Sequence, residues 1–252
     1  MTMATASAFL SRRPHAPPPG LTLWHEITLP LLRVHEICGR GRRTLALHIA
    51  ARAGAPVIWI SRRHSPDQLN PCGMAGLIPP GDVIFVATDR PDDSLWAMEE
   101  ALRSGAVPVV VADLADPPGM TPVRRLHLAA QTGADTGLNR PLGLLLTPGA
   151  GGAPGVETRF SCDPVHAPGQ TGWRIERLRA RMLPPKVWRL TGGPAEGQDA
   201  GLGSGLGSGL GGGRLTRWTE TPPDRDPDQT AGQCAGQGAG QNHGQNHGQN
   251  HG

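Results

Sequence analysis

Between residues 21 and 190 the sequence alternates short apolar, β-branched runs with stretches of helical periodicity, and this limits the fold more than any other feature. The runs at 31–38 (LLRVHEIC), 57–61 (VIWIS), 82–87 (DVIFVA), 107–111 (VPVVV) and 142–146 (LGLLL) read as buried strands. Between them, residues 44–53 are rich in Ala and Leu, and Leu95, Met98 and Leu102 form a helical stripe with Asp93 or Ser94 as its cap. Ser104-Gly105 should stop that helix. Thr121-Pro122 should open another through Val123, Leu126 and Ala130, ending at Gly133. Such alternation predicts an α/β domain with a mostly parallel sheet and helices on its faces. From about residue 155 the pattern changes. Residues 156–162, 173–181 and 186–190 alternate apolar with polar, as antiparallel or edge strands do.

The ends differ from this middle. Of 252 residues, 36 are Gly and 26 are Pro, and the Gly is densest outside the alternating region. Residues 1–20 read as a flexible arm and residues 191–252 as a low-complexity tail, with residues 21–190 as the one folded core. Gly-Leu-Gly-Ser repeats and the closing NHGQNHGQNHG bury too little apolar surface to offset the entropy of ordering. The tail's His243, His247 and His251 read either as a loose metal-binding tract or as a polar repeat without function, and no metal site is expected.

A formal net charge of +3 is only mildly basic, and Lys186 is the single lysine. The four cysteines form no CxxC pair and suit reduced thiols in a cytoplasmic protein. There is no apolar run of membrane-spanning length, and Pro-rich sequence follows Arg12-Arg13 where a secretion signal would be apolar.

Chemistry is best sought where the first long strand meets a glycine turn and then a helix. A phosphate loop of the form G-x-x-x-x-G-K-[ST] wraps phosphates in backbone N–H groups while its Lys reaches the terminal one. Here the turn is Gly39-Arg40-Gly41-Arg42-Arg43-Thr44, two residues short, with Arg43 in the place of the Lys. Arg40, Arg42 and Arg43 could equally be a solvated turn or an anion contact at a helix N-terminus. Asp113, ending a buried strand, has the style of a magnesium-site carboxylate and also of a simple loop-bonding one.

On these stretches the chain resembles a RecA-like core. The carriers are residues 33–43 (RVHEICGRGRR), 59–73, and 94–113 with its phrase RSGAVPVVVADL. Within that superfamily it is similar to the ImuA family, whose members accompany a bacterial error-prone polymerase. LWAMEEALRSG, TPVRRLHLAAQTG (121–133), PLGLLLTPGAGGAPGVETRF (141–160) and WRIERLRARMLPP (173–185) carry that likeness across residues 30–190 in order. The resemblance places a vestigial phosphate loop at Gly39, Gly41, Arg43 and Thr44 and a vestigial metal carboxylate at Asp113. At the position matching the catalytic Glu it places Arg63, a cation that cannot act as a base. The expectation is a pseudo-ATPase with no cofactor, residual ATP binding being left open.

What the resemblance implies about function is a non-catalytic accessory protein of damage-induced, error-prone translesion synthesis. Its partners would be the recombinase RecA, an ImuB-type Y-family polymerase homologue and, indirectly, a C-family error-prone polymerase. A residual nucleotide-binding switch or ATPase is the first alternative. The second is single-stranded DNA binding through Arg177, Arg179 and Arg181, which alternation places on one face, with Trp173 and Trp188 as stacking platforms. Arg62 and Arg63 join that set as possible DNA or partner contacts. Direct DNA binding is expected to be weak or indirect.

Overall fold

In the computed structural model, residues 19–192 and the strand Arg214–Arg217 are described. Among the described residues the eleven strands are β1 (Gly20–Leu23), β2 (Ile27–Pro30), β3 (Val34–Cys38), β4 (Val57–Arg62), β5 (Val83–Thr88), β6 (Val109–Asp113), β7 (Leu142–Leu146), β8 (Thr158–Pro164), β9 (Thr171–Ala180), β10 (Lys186–Gly192) and β11 (Arg214–Arg217). The helices are α1 (Arg42–Ala53), the short α2 (Pro71–Met74), α3 (Pro91–Ser104) and α4 (Met120–Thr136). β1 and β2 form a hairpin, and the rest make one sheet ordered β11-β10-β9-β8-β3-β7-β6-β4-β5. Pairing is parallel from β8 through β5 and antiparallel from β8 to β11. The fold is therefore α/β, a mostly parallel sheet flanked by helices with antiparallel strands at its C-terminal end, as the resemblance implies.

The central strands β3, β6 and β7 are buried at every position, so they read as continuous apolar runs instead of alternating ones. Their side chains divide by parity. Val109, Val111, Leu142 and Leu144 face α1, the hairpin and Trp59. Val110, Ala112 and Leu145 face α3 and α4 through Met98, Leu102, Val123 and Leu126.

Several local expectations are corrected. The run at 31–38 becomes a strand only from Val34, because Leu32 turns the chain with φ near 60°. The hairpin before it was not foreseen. Helix α3 starts at Pro91, with Asp92 and Asp93 in its first turn, instead of at a cap on Asp93 or Ser94. Ser94 is buried, and its hydroxyl lies 2.6 Å from that of Thr88. Likewise α4 begins at Met120, not with a cap at Thr121. It runs past Gly133 to Thr136, because Gly133 is the crossing point with α3 and not a terminator. Finally, β11 lies inside the range read as tail and pairs with β10. The arm at 1–18, the remaining tail and its three histidines lie outside the described residues.

Buried histidines give the core a pH dependence. His35 is fully buried between Thr158 Oγ1 (2.7 Å) and the carbonyl of Pro30 (3.0 Å), and burial lowers its pKa to about 4. Burial also lowers His48 to about 4. Both folded values lie below the unfolded one near 6.5, so their stabilising contribution is complete above pH 6.5 and is lost as pH falls through about 4. Over that window stability should fall by roughly 1.4 kcal/mol per pH unit for His35 alone. Urea unfolding at pH 7.5 and 5 checks this, and equal stabilities would contradict neutral buried imidazoles.

Candidate functional site

The C-terminal ends of the parallel strands converge on the turn between β3 and α1. Gly39 takes φ +85°, and a Cβ there would stand 2.5 Å from the Cys162 carbonyl oxygen, so the turn needs glycine. Gly41 is pressed against the Trp173 ring, which a Cβ would meet at 2.8 Å. Thus Trp173 packs on the glycine turn from β9, a neighbourhood that sequence spacing does not reveal.

Four of the turn's backbone N–H groups, those of Gly39, Arg40, Gly41 and Arg42, already have partners within the chain. Gly39 N donates to the Gly149 carbonyl (3.0 Å), Gly41 N to that of Cys162 (2.7 Å) and Arg42 N to that of Gly39 (3.4 Å). Arg40 N donates to Asp163 Oδ1 (3.0 Å), whose second oxygen accepts from Ser161 Oγ (2.7 Å). A carboxylate of the chain itself therefore holds the anion position at the turn. A cavity of about 370 Å³ opens beside it, lined by Arg40, Arg42, Gly149 and Asp163 among others.

Next to the turn, two groups that the resemblance marks as vestigial, Arg43 and Asp113, meet each other. Arg43 Nε donates to Asp113 Oδ2 at 2.5 Å, and Arg42 Nε lies 3.7 Å from Oδ1. Asp113 is nearly buried at the end of β6, while both arginines stand in the first turn of α1. A guanidinium thus fills the space beside the carboxylate, where a divalent cation would require an acidic, open position. Thr44 is half-buried in the same turn.

Glu36, which sequence reasoning missed, is the most demanding polar group in the core. It is fully buried in β3 and accepts from Thr147 Oγ1 (2.7 Å), Gly152 N (2.8 Å), Ala153 N (3.1 Å) and Arg159 Nε. Those partners fix the glycine-rich loop after β7, whose Gly149 in turn receives Gly39 N. The available signal was an acid in the middle of an apolar strand, which must be paired if buried.

The arginine cluster is not a common face. Phe160 pairs with Arg177 and Arg159 with Arg179, so Leu178 is an extra residue that breaks the two-residue period. Arg177 turns inward. Its Nε and Nη2 donate to the Pro184 carbonyl (3.0 and 2.8 Å), and its guanidinium lies 5.2 Å from the Trp188 ring centre. Trp188 itself is fully buried and donates Nε1 to Glu26 (2.7 Å), so it cannot stack on a base. The expectation of Arg177, Arg179 and Arg181 on one face with Trp188 as a platform therefore fails. Arg179 and Arg181 remain exposed, as do Arg62 and Arg63, the latter paired with Asp89 at 3.0 Å.

The cysteines near the turn are poor nucleophiles. Burial raises Cys38 to about 11 and Cys162 to about 12, so both stay protonated. Among the described residues no group of three His, Cys, Asp or Glu side chains could hold a metal ion, and no helix is long and apolar enough to cross a membrane.

Fold and turn together define an α/β domain whose glycine turn after β3 is held by the chain's own carbonyls and by Asp163. In sequence, the chain is similar to the cell division inhibitor SulA of Edwardsiella piscicida, 36% identical over 98 residues. The match covers 37% of this chain and 51% of the relative, so the chain spans about half the length of the protein it matches. No family model matches it.

Proposed function

We propose that the chain is a non-catalytic accessory protein of the SOS response to DNA damage, acting by docking on other proteins. What carries this reading is the Arg43–Asp113 ion pair beside a turn whose Gly39, Arg40, Gly41 and Arg42 amides are engaged within the chain. A fold that keeps the frame of a nucleotide site while filling its anion and metal positions keeps surfaces, not turnover. Because the residues of an assembled catalytic unit depend on one another, loss of the Lys, the loop and the Glu together removes the chemistry.

The ImuA-type sequence features then favour RecA and an ImuB-type polymerase homologue as partners, with a C-family error-prone polymerase reached indirectly. With immobilised full-length chain, purified RecA should be retained in the absence of nucleotide. RecA that passes through unretained, with and without single-stranded DNA, would contradict this partner assignment.

A second reading follows from the relative. Its similarity to a cell division inhibitor favours a role in which this chain, produced after damage, restrains division. Cells expressing it would then elongate without dividing, whereas the translesion reading leaves cell length unchanged and raises damage-induced mutation.

A further inference from the structure

Among the described residues, strand β5 ends the sheet and no strand pairs with its outer side. Its sequence, VIFVAT, holds no charge, proline or glycine, the usual devices that guard a sheet edge. Ile84 is 50% exposed and Phe85 49%. Val86 packs toward Leu95 and Ala97 of α3, so Ile84 shares that face, while Phe85 shares the opposite one with Val83. Both faces of the sheet are therefore apolar along this edge.

The backbone is arranged to pair. Arg63 N donates to the Thr88 carbonyl (2.9 Å), so Thr88 turns its peptide groups toward β4, and by alternation so do Val86 and Ile84. Val83, Phe85 and Ala87 turn theirs outward.

We propose that this edge pairs with the same edge of a second copy of the chain, β5 against β5, antiparallel about a two-fold axis at Val86. A two-fold axis perpendicular to the sheet keeps each face continuous across the joint and makes the contact closed and self-complementary. In this register Phe85 stands opposite Ala87 of the second copy, large against small, and these outward-facing residues exchange both backbone bonds. Ile84 meets Thr88. Asp82, at one end of the strand, stands opposite Arg90 at the other, while Asp89 already has Arg63 as its partner. Charge thus matches at both ends of a neutral strand, which a parallel pairing of the same edge would not give. The self-pairing does not depend on the partners proposed above.

Sedimentation equilibrium of the full chain at tens of micromolar should give twice its mass of 26.5 kDa. Phe85→Lys and Ile84→Lys, each checked for an unchanged circular dichroism spectrum, should sediment as monomers. At the axis, the two Val86 residues form a non-hydrogen-bonded pair with Cα atoms about 4.5 Å apart, within disulfide reach. Val86→Cys in a Cys72→Ser, Cys234→Ser background should therefore cross-link on mild oxidation. A monomeric wild type, a dimer that survives both lysine variants, or no cross-linked dimer from Val86→Cys overturns the proposal.

Discussion

Glu36→Gln is expected to cost about 3–5 kcal/mol, the range seen when one partner of a buried ion pair is removed. The side chain keeps its size but loses its charge and turns a donor toward Arg159, Thr147, Gly152 and Ala153, all donors themselves. For a domain of this size that cost lowers the melting temperature by on the order of 10 °C. The effect should also spread along the chain. The loop that Glu36 fixes carries Gly149, and Gly149 holds the turn at Gly39, so amide exchange at Gly39 should speed up with exchange at Gly152. Replacing Glu36 and Arg159 together by leucines should recover part of the loss, because no charge is then left buried alone. A melting temperature within about 2 °C of wild type for Glu36→Gln, under 1 kcal/mol, would show that the network contributes little.

Gly133→Ala is expected to destabilise by about 1–3 kcal/mol, the range for an atom forced into a packed site. On an exposed helix the same change stabilises by roughly 1 kcal/mol, so its sign alone is informative. Here the new methyl would stand 2.0 Å from the Leu102 carbonyl oxygen and 3.0 Å from Gly105 N. Both are backbone atoms, so no rotamer change relieves the contact, and α3 must move away from α4. Gly105 cannot yield either: its φ is +59°, and its own Cβ position lies 2.1 Å from the Gly133 carbonyl oxygen. Thermal unfolding decides the matter, and a raised melting temperature would mean that the helices are not in backbone contact there.

Much of this fold was legible because continuous runs such as VPVVV and LGLLL have no other stable use than a strand buried on both faces. The α3 stripe and its stop at Ser104-Gly105 were equally plain, since Gly105 is the left-handed residue that ends the helix. What stayed hidden depends on residues distant in sequence. Gly133 reads as a terminator until α3 is laid against it, and Leu178 reads as an ordinary strand residue until its pairing with β8 shows it to be the extra one. The same holds at the turn. Arg43 and Asp113 were each singled out, but that they neutralise each other across 70 positions is visible only in three dimensions. Asp163 and Glu36 carried signals too faint to rank, because a lone acid in a sequence does not say which amides it will meet.

The account turns on the occupied turn and the Arg43–Asp113 pair, and titration of the full chain with magnesium ATP tests it most directly. With the amides of Gly39, Arg40, Gly41 and Arg42 bonded to Gly149, Asp163, Cys162 and Gly39, and Arg43 seated on Asp113, those four donors and the candidate metal carboxylate are already engaged within the chain. The expected result is no saturable binding at millimolar nucleotide and no hydrolysis above a buffer control, with or without single-stranded DNA. DNA-stimulated turnover that disappears in Asp113→Ala would contradict it.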